Sequence, residues 1–230
     1  MHEVATEKHP GRLLGWLVFV LALALLAYAS RLGGGETPDD IAYRYSSSVA
    51  ALVQYGLMLG ILLLIVRGLP RRQLFALRAP TAWGRAVGLV VLGLLSIYAA
   101  AYAYERALSL FGDWSLTKEQ GLVPEGWDSS RAGAFVAFFL VVTAVAPVVE
   151  ELTYRGLGIS LLLPWGVALS VVTSAVLFGA AHGLIVAFPV LAFFGLANGV
   201  IRVRTNSIYP PMLLHATFNG IALIAAVGGA

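Results

Sequence analysis

Six polar side chains in the carboxyl-terminal half of the sequence could carry chemistry, because each stands in or beside a long apolar run. A charge at the centre of a membrane helix costs at least about 2.5–3.5 kcal/mol on insertion scales, so a residue that bears one there usually has a function. Carboxylate, imidazole and amide groups can also move protons and stabilise oxyanions. The candidates are Glu150, Glu151, Arg155, His182, His215 and Asn219.

The two adjacent glutamates are expected to have different environments. Glu151 and Arg155 are four residues apart with the acid first, which is the favoured order for an ion pair within one helix. Glu150 projects roughly 100° away around the same helix and has no cation nearby in the sequence. It must find a partner on another helix or stay protonated, so it is the better candidate for a general base. In the alternative interpretation, both glutamates only cap the cytoplasmic end of a helix and reach water.

The histidines extend this chemistry to two further apolar helices. His215 and Asn219 are four residues apart and share one helix face, whereas His182 lies in an earlier run. A carboxylate and an imidazole can hold a water and take its proton, while a second imidazole and an amide donate to the oxyanion of a tetrahedral intermediate. This is amide hydrolysis without a covalent nucleophile. Either histidine alone could instead only hydrogen-bond a backbone carbonyl.

Zinc hydrolysis stays open as a second mechanism. Glu150, His182 and His215 could supply a metal site with two histidines and one glutamate. The H-E-x-x-H helix signature is absent from the sequence, which disfavours this mechanism.

The composition places these residues in a membrane protein. Of 230 residues, 59% are apolar and 12% are charged, against about 45–50% and about 25% in soluble domains. A disordered, collagenous or ordinary water-soluble chain is therefore excluded. The formal net charge is only +3, and the arginines form no basic stripe that would indicate nucleic acid. The chain has no cysteine, which excludes disulfides, thiolate zinc sites and a cysteine nucleophile.

Seven apolar runs predict an all-α bundle of about seven transmembrane helices, each long enough to cross about 30 Å of hydrocarbon. The boundary between the fifth and sixth is the least defined, since only Gly183 or Pro189 offers a turn. Pro147 predicts a kink beside the glutamates, because it removes the hydrogen bond to the carbonyl of Thr143. The expected spans are 13–30, 49–66, 86–104, 133–163, 165–181, 183–201 and 208–227.

The first apolar run also resembles a signal peptide, with Lys8 and Arg12 ahead of it and an A-x-A-like end at residues 27–29. The run exceeds the usual length of about 7–15 residues, so a retained first helix is favoured. Two small-residue patterns, Gly56-x-x-x-Gly60 and Gly195-x-x-x-Gly199, predict close packing between helices.

Loop charges predict that the N-terminus lies in the cytoplasm and the C-terminus outside, because Lys and Arg near helix ends stay preferentially inside. The expected outer residues are Arg31, Arg44, Arg106, Lys118 and Arg131. Twice as many basic residues are expected inside: Lys8, Arg12, Arg67, Arg71, Arg72, Arg78, Arg85, Arg155, Arg202 and Arg204.

Three motifs on successive apolar helices resemble those of the CPBP family of intramembrane proteases, which contains the Ras-converting CAAX prenyl endopeptidases and the bacterial Abi proteins. They are Glu150-Glu151-x-x-x-Arg155, Phe178-x-x-x-His182 and His215-x-x-x-Asn219. The resemblance covers residues 135–219. It implies a glutamic endopeptidase in which Glu150 and His182 activate water and His215 with Asn219 stabilises the oxyanion, while Glu151 and Arg155 hold the structure of the site.

On this interpretation the chain is one integrated membrane domain. Residues 1–132 supply N-terminal transmembrane helices and loops, and residues 133–230 form the catalytic core. The resemblance implies a substrate in the bilayer, either a membrane-anchored protein or a lipidated peptide, which is cut near its membrane end. No cofactor and no nucleic acid are expected, and zinc is the alternative named above.

Two other classes of function stay open. The protein could be a non-catalytic scaffold or immunity protein, or a proton-coupled transporter that uses the same residues as a relay. A transporter is expected to show inverted repeats or broken helices, and neither is evident in the sequence. The composition, rich in Gly and Ala and free of Cys, indicates a prokaryotic cytoplasmic membrane.

Overall fold

A computed structural model describes residues 8–34, 40–112, 116, 119 and 126–228 of the chain. This part of the chain is helical and has no β-strand, so the predicted all-α membrane bundle is confirmed. Seven long helices are present among the described residues: α1 (Pro10–Leu32), α2 (Tyr45–Ile65), α3 (Trp83–Leu108), α4 (Ser129–Trp165), α5 (Val167–Ala180), α6 (Phe188–Thr205) and α7 (Tyr209–Gly228).

Five of these helices are long and apolar enough to cross a membrane, namely all except α5 and α6. The predicted start of the sixth span at Gly183 is wrong, because α6 begins at Phe188. Both turn signals are used here: Gly183 adopts a φ of +64°, which L side chains rarely tolerate, and Pro189 stands in the first turn of α6. The carboxylate of Glu119 then accepts the backbone N–H groups of the preceding turn, residues 185–187, at 2.7–3.0 Å.

The first helix packs into the core of the bundle. Trp16 is fully buried in the main apolar cluster, and its indole N–H donates to the carbonyl oxygen of Thr153 in α4 at 2.9 Å. A bulky residue at position 158 would collide with this indole, which explains why Gly158 stands there. This packing favours a retained first helix over a cleaved signal peptide.

One of the two small-residue patterns is a packing contact and the other is not. A Cβ on Gly195 would meet the backbone of Ala175 at 2.8 Å, and one on Gly199 would meet Val171 at 2.9 Å, so α5 and α6 touch through these glycines. No atom of the described residues lies within 4 Å of a Cβ built on Gly56 or Gly60. The prediction of close packing is therefore confirmed for α6 and wrong for α2, whose glycines face outward.

The two ends of the bundle differ in charge. One end joins the start of α1, the segment between α2 and α3, the end of α4 and the turn between α6 and α7. Three contacts hold it together: Arg12 to the carbonyl of Arg67 at 3.0 Å, the N–H of Ile208 to the carbonyl of Ala76 at 3.1 Å, and Lys8 over the ring of Trp165 at 5.4 Å. We call this the basic end, because its described charged residues are all cationic: Lys8, Arg12, Arg67, Arg71, Arg72, Arg78, Arg85, Arg202 and Arg204.

The opposite end carries both signs of charge. Arg131 pairs there with Asp128 at 2.5 Å and with Asp40 at 3.1 Å, and Arg31 donates to the carbonyl of Glu119 at 3.0 Å. Hydrogen bonds from Ser130 and Arg131 lower the pKa of Asp128 to about 2, so this carboxylate stays charged where α4 begins. Two of the basic residues expected in loops give no information on orientation. Lys118 lies outside the described residues, and Arg155 is fully buried in α4.

Candidate active site

The helix that carries both glutamates is irregular on either side of them. Within α4, π-helical segments at Val141–Val145 and Leu152–Gly158 flank a short α-helical segment, Ala146–Glu151. Pro147 stands in the first turn of that short segment, and without an N–H it cannot donate a helical hydrogen bond to the preceding turn. π-Helical turns are rare and occur often at functional sites. The helix is therefore irregular beside the glutamates in the form of two π-helical segments, whereas the kink at Pro147 stays a prediction.

Side chains from three other helices hold the carbonyl groups of these wide turns. Trp16 of α1 donates to Thr153, as described above, and Ser174 of α5 donates to the carbonyl of Tyr154 at 2.9 Å. In the first π-helical segment, the Nδ2 group of Asn219 in α7 donates to the carbonyl of Val142 at 2.9 Å. The rotation of α4, and with it the direction of its carboxylates, is therefore set by cross-helix hydrogen bonds.

Glu151 lies at the centre of a buried ionic network. Its Oε1 atom accepts a hydrogen bond from Nη1 of Arg155 at 2.8 Å, and Nδ1 of His215 lies 2.9 Å from the same oxygen. Glu151 and Arg155 are fully buried, and the guanidinium of Arg155 stacks over the ring of Phe178 at 4.3 Å. The predicted pair within one helix is present, and the structure adds His215 as a third member.

Glu150 has different partners and keeps some exposure. The hydroxyl of Tyr55 in α2 donates to its Oε1 atom at 2.6 Å, while its Oε2 atom lies 3.8 Å from Nε2 of His215. The side chain of Glu150 is 14% exposed, against 0% for Glu151. A gap of 3.8 Å between two polar atoms is too long for a direct hydrogen bond and suits a bridging water.

His215 therefore lies between the two glutamates and is oriented by one of them. A carboxylate only accepts, so the Nδ1 atom that faces Glu151 carries a proton. Nε2 is then directed at Glu150, where it accepts a hydrogen bond in the neutral ring and donates one in the imidazolium.

Aromatic rings join the second histidine to this network. The ring of Phe178 contacts His182 at 4.7 Å and His215 at 5.8 Å between centroids, and Phe194 of α6 contacts His215 at 4.9 Å. The Nδ1 atom of His182 lies 2.8 Å from the carbonyl of Phe178, which can only accept, so this nitrogen carries the proton and Nε2 of the neutral ring is an acceptor. No hydrogen bond or ion pair joins His182 to Glu150 among the described residues.

The structure thus joins Glu151, Arg155 and His215 by direct hydrogen bonds and places Glu150 3.8 Å from His215. Asn219 reaches the site through the backbone of α4, and His182 reaches it across one phenylalanine ring. Tyr55 was missed by sequence reasoning, because a single tyrosine in an apolar helix carries no signal of its partner. In the described part of the chain, no three His, Asp or Glu residues are grouped so that they could hold a metal ion.

Several buried polar atoms of this region have no protein partner among the described residues: Oε2 of Glu151, Nε and Nη2 of Arg155 and the hydroxyl of Tyr154. Buried polar atoms in native proteins are usually hydrogen-bonded, to water or a ligand where no protein group serves. Together with the partly exposed Glu150, they make this the polar centre of an otherwise apolar core.

The bundle thus holds two carboxylates and an imidazole together in an apolar helical core. Residues 132–221 match the family described as Rce1-like, type II CAAX prenyl endopeptidase, which confirms the resemblance to the CPBP family over this stretch. The matched stretch is less than half of the chain and contains all six candidate residues. No curated protein and no solved structure matches the chain.

Proposed function

We propose that the protein is a glutamic intramembrane endopeptidase that cuts a peptide bond near the membrane end of a membrane-anchored protein or lipidated peptide. The observation that carries this proposal is the position of His215, which lies 2.9 Å from Glu151 and 3.8 Å from Glu150. Two carboxylates lie beside one imidazole in a stretch of sequence that matches a protease family. Such groups can serve as a general base and as a donor to the oxyanion.

In this mechanism Glu150 is the general base. It takes a proton from a water that attacks the scissile carbonyl, and the hydroxyl of Tyr55 holds the carboxylate in place during the transfer. His182 is the second group on that water, because its Nε2 atom is free to accept once Nδ1 is bound to the carbonyl of Phe178. The proton on Glu150 then passes to the leaving amine.

His215 and Asn219 stabilise the oxyanion. Two carboxylates and one guanidinium leave the buried cluster one negative charge in excess, and an imidazolium at His215 would balance it. In that form Nε2 donates a hydrogen bond, as an oxyanion requires. Asn219 uses one N–H on the carbonyl of Val142, which orients the amide and leaves the second N–H for the substrate.

The experiment compares C-terminal processing of all membrane proteins in cells that carry the wild type or Glu150→Gln. We expect specific proteins to keep an uncleaved tail in the variant, at equal abundance of the protease. The matched control is Glu105→Gln, which makes the same chemical change at the mixed-charge end of α3 and should leave processing intact. If no protein differs between wild type and Glu150→Gln, the protease proposal fails and a scaffold or transporter takes its place.

Metal dependence separates the two hydrolytic mechanisms. The glutamic mechanism expects cleavage by the purified protein to survive an excess of a zinc chelator, with substoichiometric zinc by elemental analysis. Stoichiometric zinc together with chelator-sensitive cleavage would establish water activation on a metal instead.

A further inference from the structure

A second set of unpartnered charge lies at the basic end, away from the two glutamates. Arg202 of α6 is only 3% exposed, and it makes no hydrogen bond or ion pair with any described residue. Its Nε atom is fully enclosed without an acceptor. By contrast, the other fully enclosed arginine, Arg155, is neutralised by Glu151.

The neighbour that Arg202 does have is another cation. The positive charge of Arg202 is opposed by that of Arg78, which stands in the segment between α2 and α3. The backbone brings them together, because the N–H of Ile208, in the turn after α6, donates to the carbonyl of Ala76, two residues before Arg78. No aspartate or glutamate lies at this end among the described residues, so none of these supplies a counter-ion to Arg202.

Such an arrangement is unfavourable unless an anion binds. A buried charge without a partner destabilises a fold strongly. Guanidinium groups without an acid beside them are common binding groups for phosphate, to which they can donate paired N–H groups. Basic pockets between membrane helices bind phospholipid head groups in this way.

We propose that Arg202 and Arg78 form a phosphate-binding site at the basic end of the bundle, between α6 and the segment that joins α2 to α3. The site is separate from the candidate active site. Arg202 stands eight residues after Phe194, the α6 ring that contacts His215, which is about 12 Å along the helix. The phosphate comes either from an anionic phospholipid or from solution, and the experiment distinguishes these two sources.

The test uses the full chain, purified in a neutral detergent and stripped of lipid, with thermal unfolding followed by tryptophan fluorescence. In one arm, phosphatidylglycerol is titrated against phosphatidylcholine. In the other arm, inorganic phosphate is titrated against chloride at constant ionic strength. A ligand that binds the folded protein but not the unfolded chain raises the midpoint temperature of unfolding. Stabilisation by phosphatidylglycerol alone identifies a lipid head group, and stabilisation by both identifies a site open to free phosphate.

The decisive comparison is between Arg202→Gln and Arg204→Gln. Both variants remove one positive charge from the end of α6, but Arg204 is exposed and Arg202 is enclosed. We expect Arg202→Gln to weaken the apparent affinity for the stabilising phosphate compound about tenfold, and Arg204→Gln to change it less than twofold. Equal effects of the two variants would mean that the overall positive charge of the basic end attracts the phosphate compound without a specific site. That result would overturn the proposal.

Two further measurements keep the proposal testable if Arg202→Gln does not fold. Arg78→Gln changes an exposed loop residue, and it should weaken binding in the same assay. Native mass spectrometry of the wild type, without delipidation, should show a retained phospholipid that Arg78→Gln loses. The absence of any stabilisation by phosphatidylglycerol and by inorganic phosphate in the wild type would contradict the site.

Discussion

At the scale of single residues, Tyr55 is the least expected member of the site. It lies in α2, outside the residues that match the protease family, yet its hydroxyl makes a 2.6 Å hydrogen bond to the candidate base. Hydrogen bonds to charged groups are worth about 1.5–3 kcal/mol. We expect Tyr55→Phe to lower kcat roughly tenfold to a hundredfold with little change in KM, because in the proposed mechanism Tyr55 acts on Glu150 and not on the substrate.

The control for Tyr55→Phe is Tyr102→Phe, an exposed tyrosine of α3, which should leave the rate unchanged. Both variants are compared with wild type in cleavage of one purified substrate at several concentrations. A rate for Tyr55→Phe within twofold of wild type would show that the hydroxyl does not position Glu150.

The two glutamates should respond differently to the same substitution. Glu150→Gln removes the proposed base and should cost at least about a hundredfold in rate while the protein stays folded. Glu151→Gln leaves Arg155 buried without its counter-ion, and such losses cost about 3–5 kcal/mol of stability. Thermal unfolding in detergent should therefore separate them, with a clear drop for Glu151→Gln alone.

The double variant Glu151→Gln, Arg155→Gln tests the cause of that drop. Removing both charges of a buried pair costs less than removing one, so the double variant should be more stable than Glu151→Gln. If it is less stable, the pair does not act as a charge-neutral unit and Glu151 has another structural role.

At the scale of elements, the widened turns of α4 explain what the sequence predicts and what it does not. The ion pair between Glu151 and Arg155 follows from their spacing, and a break near Pro147 follows from its missing N–H. The π-helical segments do not follow, since their free carbonyls are stabilised by Trp16, Ser174 and Asn219 from three distant helices. The role of Tyr55 could not be predicted for the same reason, because it depends on how α2 is rotated against α4, and only packing decides that rotation.

The hydrogen bonds from other helices to the carbonyl groups of α4 predict a stability effect of their own. Trp16→Phe keeps most of the buried ring but leaves the carbonyl of Thr153 without its donor, which costs about 1–3 kcal/mol for a buried acceptor. Trp83→Phe, at an exposed position at the start of α3, is the control and should be neutral. Unfolding midpoints of the two variants are compared in the same detergent, and equal midpoints would mean that the bond from Trp16 to Thr153 does not stabilise the fold.

At the scale of the whole molecule, the charge difference between the two ends predicts its orientation in the membrane. The described charges of the basic end are all positive, and Lys and Arg stay preferentially on the cytoplasmic side, so this end should face the cytoplasm. His215 lies six residues into α7 from that end, about 9 Å along the helix, so the site would be nearer the cytoplasmic surface.

The absence of cysteine makes this orientation directly measurable. Gln73→Cys places a thiol at the basic end and Ser109→Cys places one at the mixed-charge end, both at exposed positions. In intact cells, a membrane-impermeant maleimide should label Ser109→Cys, and it should label Gln73→Cys only after permeabilisation; the wild type controls for background. The reverse pattern would put the basic end outside, and substrate would then approach His215 from the outer surface.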